Sequence, residues 1–198
     1  MDTAFTTFLS VFLAEMGDRT QILAAVLALR YRNNNAILAG LACATLLNCG
    51  ISAAGGSVID SWISARSVQM FAGLAYIFAG AGMLLWRRNV DPLSGWKTPA
   101  FLTAFLGLFI LEFGDKSQFI IAAQSARAPY WGMAAVGGFI GIMAASVPAV
   151  ILRARLGQIV PLKPIRWVSG ALLLGWGFVL ATQANGISSL PLSQARVL

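Results

Sequence analysis

The sequence Glu15-Met16-Gly17-Asp18-Arg19-Thr20-Gln21 recurs 97 positions later as Glu112-Phe113-Gly114-Asp115-Lys116-Ser117-Gln118. Each copy lies near the centre of a hydrophobic segment, residues 3–29 and 100–126, that is long enough to cross a bilayer. The repeat extends beyond the motif, because three glycines recur at the same offset: Gly40 as Gly137, Gly73 as Gly170, and Gly80 as Gly177. The chain is therefore an internal duplication with one polar motif inside each half.

The overall composition is that of an integral membrane protein. Of the 198 residues, 58% are hydrophobic and 11% are charged, whereas an ordinary soluble domain is about 25% charged. We interpret the net charge of +7 as a sign of membrane topology and predict no nucleic-acid partner. The absence of His excludes His-based catalysis and His metal ligation. Two cysteines are too few for a thiolate zinc site, and we expect Cys43 and Cys49 to be inert buried thiols.

Six segments are predicted to span the membrane. Two carry the motifs, and four are uncharged, residues 36–59, 68–86, 128–152 and 167–184. The polar segment 89–99 divides the chain into a first repeat, residues 1–88, and a second repeat, residues 100–198. Three spans per repeat require the second copy to be inverted. We therefore predict an all-α integral membrane protein of six transmembrane helices, built as two inverted-topology three-helix repeats with a substrate site at the midplane.

Basic residues predict the orientation of these spans. Nine lie in the three connections on one side, namely Arg30, Arg32, Arg87, Arg88, Lys97, Arg153, Arg155, Lys163 and Arg166. The opposite side, with both termini, has Arg66, Arg127 and Arg196. By the positive-inside rule, the connecting loop 89–99 is cytoplasmic and both termini face outward. The N-terminus lacks the basic region of a signal peptide and its apolar stretch continues into Glu15 and Asp18, so we expect the first span to stay in the mature protein.

Four of the seven acidic residues fall near the predicted midplanes: Glu15, Asp18, Glu112 and Asp115. A lone carboxylate costs at least about 2.5–3.5 kcal/mol there, and such residues mark ion paths. The spacing of three residues places the Glu and Asp of each motif on one helix face, so we expect each pair to point inward together. Arg19 and Lys116 follow the glutamates by four residues, the spacing of an intrahelical ion pair. The resulting charge of −2 would be neutralised by one divalent cation or by two protons, which should therefore compete.

The remaining motif residues are candidates for supporting or proton-coupling roles: Arg19, Thr20, Gln21, Lys116, Ser117 and Gln118. Oxygen donors favour Ca²⁺, Mn²⁺ or Mg²⁺ over Zn²⁺ or Cu⁺. The hydroxyls and amides either ligate the ion or hold the carboxylates, and Asn48 is a further candidate donor. Gly17 and Gly114 are expected to loosen their helices and free a backbone carbonyl. Purely structural roles stay open, with Arg19 and Lys116 balancing charge and Asn48 joining two helices.

Both copies match the pattern Glu-x-Gly-Asp-(Lys/Arg)-(Thr/Ser), with x apolar. The chain thereby resembles a cation–proton exchanger family that includes Golgi and chloroplast manganese and calcium transporters and bacterial manganese exporters, also called the second calcium:cation antiporter family. The resemblance covers nearly the whole chain. The family also contains longer organellar members with targeting segments, whereas this chain begins directly at its first span, so the resemblance implies a bacterial inner membrane. It implies export of Mn²⁺, with Ca²⁺ as the second candidate, from the cytosol in exchange for protons. It also implies that Glu15, Asp18, Glu112 and Asp115 bind the transported ion.

Two other classes of function stay open on the residues alone. One is an intramembrane enzyme acting on a lipid phosphate, which the lack of His and the single midplane cation per repeat disfavour. The other is a passive cation channel, which the clustered acids disfavour because they suit tight binding better than rapid throughput. We predict no cofactor other than the transported ion. The partners expected are the divalent ion, protons and the bilayer, and the oligomeric state is open between a monomer and a homo-oligomer.

Overall fold

The computed structural model describes residues 2–85, 90–155, 159 and 161–186. Within these ranges the chain forms eight α-helices: α1 (Asp2–Glu15), α2 (Arg19–Tyr31), α3 (Asn34–Trp62), α4 (Ala65–Leu85), α5 (Ala100–Glu112), α6 (Lys116–Ala126), α7 (Gly132–Leu152) and α8 (Leu162–Ala184). A short 3₁₀ helix, Arg153–Arg155, follows α7. The described residues contain no β-strand, so the predicted all-α class is confirmed.

Four helices, α3, α4, α7 and α8, are long and apolar enough to cross a bilayer. They correspond to the four uncharged segments predicted from the sequence, and the chain is a multi-pass membrane protein. Two predicted boundaries are wrong. Helix α7 begins only at Gly132, because Pro129 disfavours helical backbone in the residue before it. Helix α8 begins earlier, at Leu162, because Pro164 lies in the first turn, where proline is tolerated.

The two motif-bearing segments are each broken into two half-helices. Helix α1 ends at Glu15 and α2 begins at Arg19, while α5 ends at Glu112 and α6 begins at Lys116. Gly17 and Gly114 both have a φ of 74°, in the left-handed region where a side chain is strained. The prediction that these glycines loosen their helices is confirmed. The expectation that each Glu and Asp pair shares one helical face is wrong, because the backbone between them is not helical.

Close helix packing depends on small residues. Helix α4 lies along α8, α1 along α7, and α5 along α3. In the α4–α8 interface a Cβ on Gly80 would lie 2.6 Å from the carbonyl oxygen of Gly170, and one on Gly177 would lie 2.6 Å from the amide nitrogen of Ile77. Such distances leave no room for a methyl group, so the backbones approach as closely as small residues allow in membrane helices.

The outward faces of the helices are apolar. On α3, Leu46 and Leu47 are about half exposed. Cys43, which lies three and four residues before them, is exposed as well, whereas Cys49 is buried. The prediction that both thiols are buried is therefore wrong for Cys43, because spacings of three and four residues place it on the same outward face.

Several of the predicted orienting charges meet at one end of the bundle. Arg30 donates a hydrogen bond to the carbonyl oxygen of Trp96 at 2.6 Å, which ties the end of α2 to the 90–99 loop. Arg153 donates one to Asn34 Oδ1 at 2.6 Å, which ties the end of α7 to the start of α3. Arg66 lies at the opposite end, where it donates to the carbonyl oxygen of Ala184. Arg87, Arg88 and Arg196 lie outside the described residues.

Candidate cation site

The two helix breaks face each other and share one set of ion pairs. The ammonium of Lys116 bonds to Asp18 Oδ2, lies 2.9 Å from Asp115 Oδ2, and is 3.7 Å from Glu15 Oε1. Arg19 Nη2 lies 3.0 Å from Asp115 Oδ1. Each cation therefore reaches across to an acidic residue of the other motif.

The predicted intrahelical ion pairs are wrong. Arg19 bonds to Asp115 rather than to Glu15, and Lys116 makes its ion pairs with Glu15, Asp18 and Asp115 rather than with Glu112. A spacing of four residues brings two side chains together only on a continuous helix. Because the left-handed glycines end that helix, each cation starts a new half-helix and points toward the opposite motif.

Three carboxylates converge at this point. Glu15, Asp18 and Asp115 each offer one oxygen, and the three oxygens lie within 4.8 Å of one another. For comparison, two opposing oxygens around a Ca²⁺ ion bound at about 2.3–2.6 Å are about 4.6–5.2 Å apart. Asp18 and Asp115 are the residues that precede α2 and α6, where the helix dipole favours negative charge. The trio is thus spaced for a hard cation.

Glu112 lies outside this trio. It is 1% exposed and ends α5, and Asn48 of α3 lies beside it. Neither of its carboxylate oxygens has a hydrogen-bond partner among the described residues, and no ion pair within 4 Å joins it to a described cation. The structure therefore places the fourth predicted acid in the same buried region, beside Asn48 and without an ion pair to any described cation.

The region contains several other buried oxygens without hydrogen bonds. Among the described residues these include both oxygens of Glu15, Oδ1 of Asn48 and Oγ of Ser117, and the Ser117 side chain lies beside Glu15. Burying polar atoms without partners is costly, and native structures rarely leave them so without a functional reason. A buried cluster of oxygen atoms of this kind fits an oxygen-preferring divalent cation.

The two motif glutamines stabilise the helix breaks. Gln21 Oε1 accepts a hydrogen bond from the Gly17 amide at 2.9 Å, and Gln118 Oε1 accepts one from the Gly114 amide, also at 2.9 Å. Gln21 Nε2 also donates to the carbonyl oxygen of Ala145 in α7 at 2.6 Å. Their amide oxygens therefore bond to the backbone of the breaks, which differs from both predicted roles, ligating the ion and holding the carboxylates.

A cavity approaches the first motif from one end of the bundle. Its volume is about 540 Å³ and it is bounded by Gly17 and Ile22, by Met83 and Leu84 at the end of α4, and by residues 161–164, 166 and 167. The basic residues Lys163 and Arg166 line it. The cavity opens at the end of the bundle where α4 ends and α8 begins.

A buried tyrosine joins three helices near the middle of the bundle. Tyr76 of α4 is 1% exposed. Its hydroxyl lies 2.7 Å from Ser10 Oγ of α1 and accepts a hydrogen bond from Gln124 Nε2 of α6 at 2.6 Å. These bonds tie α4 to one half-helix of each broken pair. Sequence reasoning missed all three residues, and the only available signal was that they are polar residues within apolar segments.

Comparison with known proteins gives a match over most of the chain. Residues 3–91 and 100–187 match the family model described as "Divalent cation/proton antiporter GDT1", and each matched range contains one motif. The chain belongs to this family. It is therefore a cation transporter and not an enzyme, which sets aside the lipid-phosphate hypothesis. No solved structure matches the chain.

Individual relatives agree with the family match. A protein named "Putative manganese exporter" from Vibrio cholerae is 34% identical over 169 residues, which is 83% of this chain and 83% of the relative. The "GDT1-like protein 3" of Arabidopsis thaliana is 27% identical over 207 residues, covering 88% of this chain and 69% of the relative. That of Oryza sativa subsp. indica is 26% identical over 205 residues, covering 88% and 72%.

The second helix break gives a test of backbone strain. A Cβ added to Gly114 would meet no atom within 4 Å, so Gly114→Ala introduces strain without a clash. We expect it to destabilise the protein by about 1–2 kcal/mol, the cost of a left-handed non-glycine residue. The measurement is thermal unfolding of the purified protein in detergent. Gly50→Ala is the control, because Gly50 lies within α3 and also has open space around it. Equal unfolding temperatures for the two variants would contradict the prediction.

Proposed function

We propose that this protein exports Mn²⁺, with Ca²⁺ as the second candidate substrate, from the cytosol in exchange for protons. The observation that carries the proposal is the convergence of Glu15, Asp18 and Asp115 from two helix breaks, with oxygens within 4.8 Å of one another. Membership of a divalent cation/proton antiporter family supports the class of substrate. The name of the Vibrio cholerae relative supports manganese.

Charge balance explains why metal and protons would exchange at one site. Glu15, Asp18, Glu112 and Asp115 with Arg19 and Lys116 carry −2 when all are ionised. One divalent cation neutralises this charge, and so do two protons. Uncompensated charge is expensive inside a membrane, so the occupied forms are the ones expected to change orientation. In this proposal all four acids belong to the ion site, and Ser117 and Asn48 add neutral oxygens beside Glu15 and Glu112.

The proposed architecture is six spans in two inverted repeats. The first repeat comprises the broken pair α1–α2 with α3 and α4, and the second comprises α5–α6 with α7 and α8. Helix α1 of the first repeat packs on α7 of the second repeat. Their counterparts in the other repeat, α5 and α3, also pack on each other. Helices α4 and α8, which also correspond, pack on each other. This exchange of partners supports a pseudo-twofold arrangement with the ion site between the repeats.

Alternating access then has an inward-facing and an outward-facing form. The cavity that reaches Gly17 opens at the basic end of the bundle. In this proposal the buried hydrogen bonds of Tyr76 to Ser10 and Gln124 block the path toward the other end. The positive-inside rule assigns the basic end to the cytoplasm. We therefore propose that the structure is the inward-facing form, located in a cell inner membrane with both termini on the periplasmic side.

Transport into proteoliposomes tests the proposal. Vesicles with an acidic lumen, voltage-clamped with an ionophore, should accumulate Mn²⁺ against its gradient while a luminal dye reports proton loss. Parallel vesicles receive Ca²⁺ or Mg²⁺ to rank the substrates, and protein-free vesicles control for leak. Exchange would be excluded if neither Mn²⁺ nor Ca²⁺ moved in response to a pH gradient, whichever side of the membrane was acidic.

A further inference from the structure

The ammonium group of Lys116 lies where the trio of acids would hold a transported ion. It forms ion pairs with Glu15, Asp18 and Asp115, whose converging oxygens define the site. The Lys116 side chain is only 7% exposed, so its ammonium is a buried positive charge that belongs to the protein itself. The ammonium donates hydrogen bonds to Asp18 and Asp115, and its third donor is left for Glu15, whose Oε1 lies 3.7 Å away.

A divalent ion and this ammonium cannot occupy the same position. Two cations a few ångströms apart repel each other strongly where solvent is excluded. Binding of a metal ion between Glu15, Asp18 and Asp115 therefore requires the Lys116 side chain to move. Its four-carbon stem is flexible enough to move while the backbone of α6 stays in place.

Glu112 is the acid that can receive the displaced ammonium. It precedes Lys116 by four residues, is buried, and has two oxygens without hydrogen-bond partners in the described part of the chain. Arg19, the corresponding cation of the first motif, differs because its side chain is 27% exposed and, among the described residues, forms an ion pair with one acid, Asp115.

We propose that Lys116 is a tethered competitor of the transported ion, which moves from the trio of Glu15, Asp18 and Asp115 to Glu112 when the metal binds. This inference rests on the proposed function and gives Glu112 a distinct task within the ion site. Glu112 makes room for the metal by holding Lys116, while the other three acids ligate it. Competition from the returning ammonium lowers metal affinity and favours release.

A double-mutant cycle tests this mechanism. Mn²⁺ affinity is measured by titration calorimetry on purified protein at mildly alkaline pH for the wild type, Lys116→Met, Glu112→Gln and the double variant. Lys116→Met should bind Mn²⁺ at least about tenfold more tightly, because the competitor is gone. Glu112→Gln should bind Mn²⁺ at least about tenfold more weakly, because no carboxylate remains at position 112 to hold the displaced Lys116 ammonium. In the double variant the effect of Glu112→Gln should largely disappear.

Controls and contrary outcomes separate this inference from the proposed function. Lys97→Met makes the same chemical change on an exposed loop residue and should leave Mn²⁺ affinity unchanged. Lys116→Gln is a second variant in case Lys116→Met does not fold. If the effects of Glu112→Gln and Lys116→Met on Mn²⁺ affinity were independent and additive, Glu112 would be a direct ligand of the metal. That result would overturn this inference but not the proposed function. The inference would also be overturned if the folded Lys116 variants bound Mn²⁺ no more tightly than the wild type. Absence of saturable Mn²⁺ or Ca²⁺ binding in the wild type would overturn the proposed function as well.

Discussion

Asp18→Asn is expected to lower Mn²⁺ affinity by at least about 100-fold and to abolish exchange. The substitution removes one of the three converging carboxylates and the bonded partner of the Lys116 ammonium. In the metal-bound form Asp18 would be a charged ligand of the ion, and removing one partner of a buried charge pair in a complex costs about 2–5 kcal/mol, where 2.7 kcal/mol corresponds to about 100-fold in affinity. Glu15→Gln should behave similarly, because Glu15 is fully buried and belongs to the same trio.

Calorimetric Mn²⁺ titration and the proteoliposome assay measure this effect. Asp2→Asn is the matched control, since it makes the same change at an exposed position at the start of α1. Asn and Gln are close in size to the acids they replace, so the folded state should persist, and gel filtration checks that it does. Wild-type affinity in a folded Asp18→Asn or Glu15→Gln protein would remove that residue from the ion site.

Gly56→Ala is expected to have the largest effect on stability, whereas Gly55→Ala should have almost none. A Cβ on Gly56 would lie 2.8 Å from the Cα and carbonyl carbon of Ala122 and closer still to its carbonyl oxygen. These are backbone atoms of α6, so α3 and α6 would have to separate. Overpacking a tight interior costs about 1–3 kcal/mol even where side chains can yield. A Cβ on Gly55 would meet nothing within 4 Å.

The comparison isolates one methyl group at two adjacent positions of the same helix. Both substitutions replace glycine by alanine within α3, so the change in helix propensity is nearly equal and the contact with α6 is what differs. Thermal unfolding in detergent should show a clearly lower transition for Gly56→Ala. Mn²⁺ affinity should fall with it, because α6 begins at Lys116. Equal stability of the two variants would mean that the backbones of α3 and α6 do not approach each other this closely at Gly56 and Ala122.

The two motifs are nearly identical in sequence but different in surroundings. Gly17 is covered by α8, because a Cβ there would lie 3.0 Å from the carbonyl oxygen of Leu162. Gly114 is exposed and has open space beside it. Lys116 is buried among three carboxylates, whereas Arg19 is partly exposed and bonds to one. A transporter in one of two alternating forms is expected to show such inequality between its repeats.

Much of the fold could be predicted from the sequence because the deciding forces act locally. Long apolar segments must lie in a bilayer and satisfy their backbone hydrogen bonds as helices, which predicted α3, α4, α7 and α8 closely. The cost of charge in a membrane singled out Glu15, Asp18, Glu112 and Asp115 without any coordinates. Glycine between two acids indicated that the helices loosen at Gly17 and Gly114, because no other residue tolerates the left-handed backbone as readily, but the complete breaks were not predicted.

What only the tertiary structure decided is which charges meet. Pairing Arg19 with Glu15 assumed a continuous helix, and the break redirected Arg19 to Asp115, 96 residues away. The separation of Glu112 from the other three acids and the bridge from Tyr76 to Ser10 and Gln124 likewise depend on how distant helices pack. Residue spacing defines geometry only within one regular element. Between elements, the side chains that meet are set by the close approach of helix backbones, which no local pattern in the chain records.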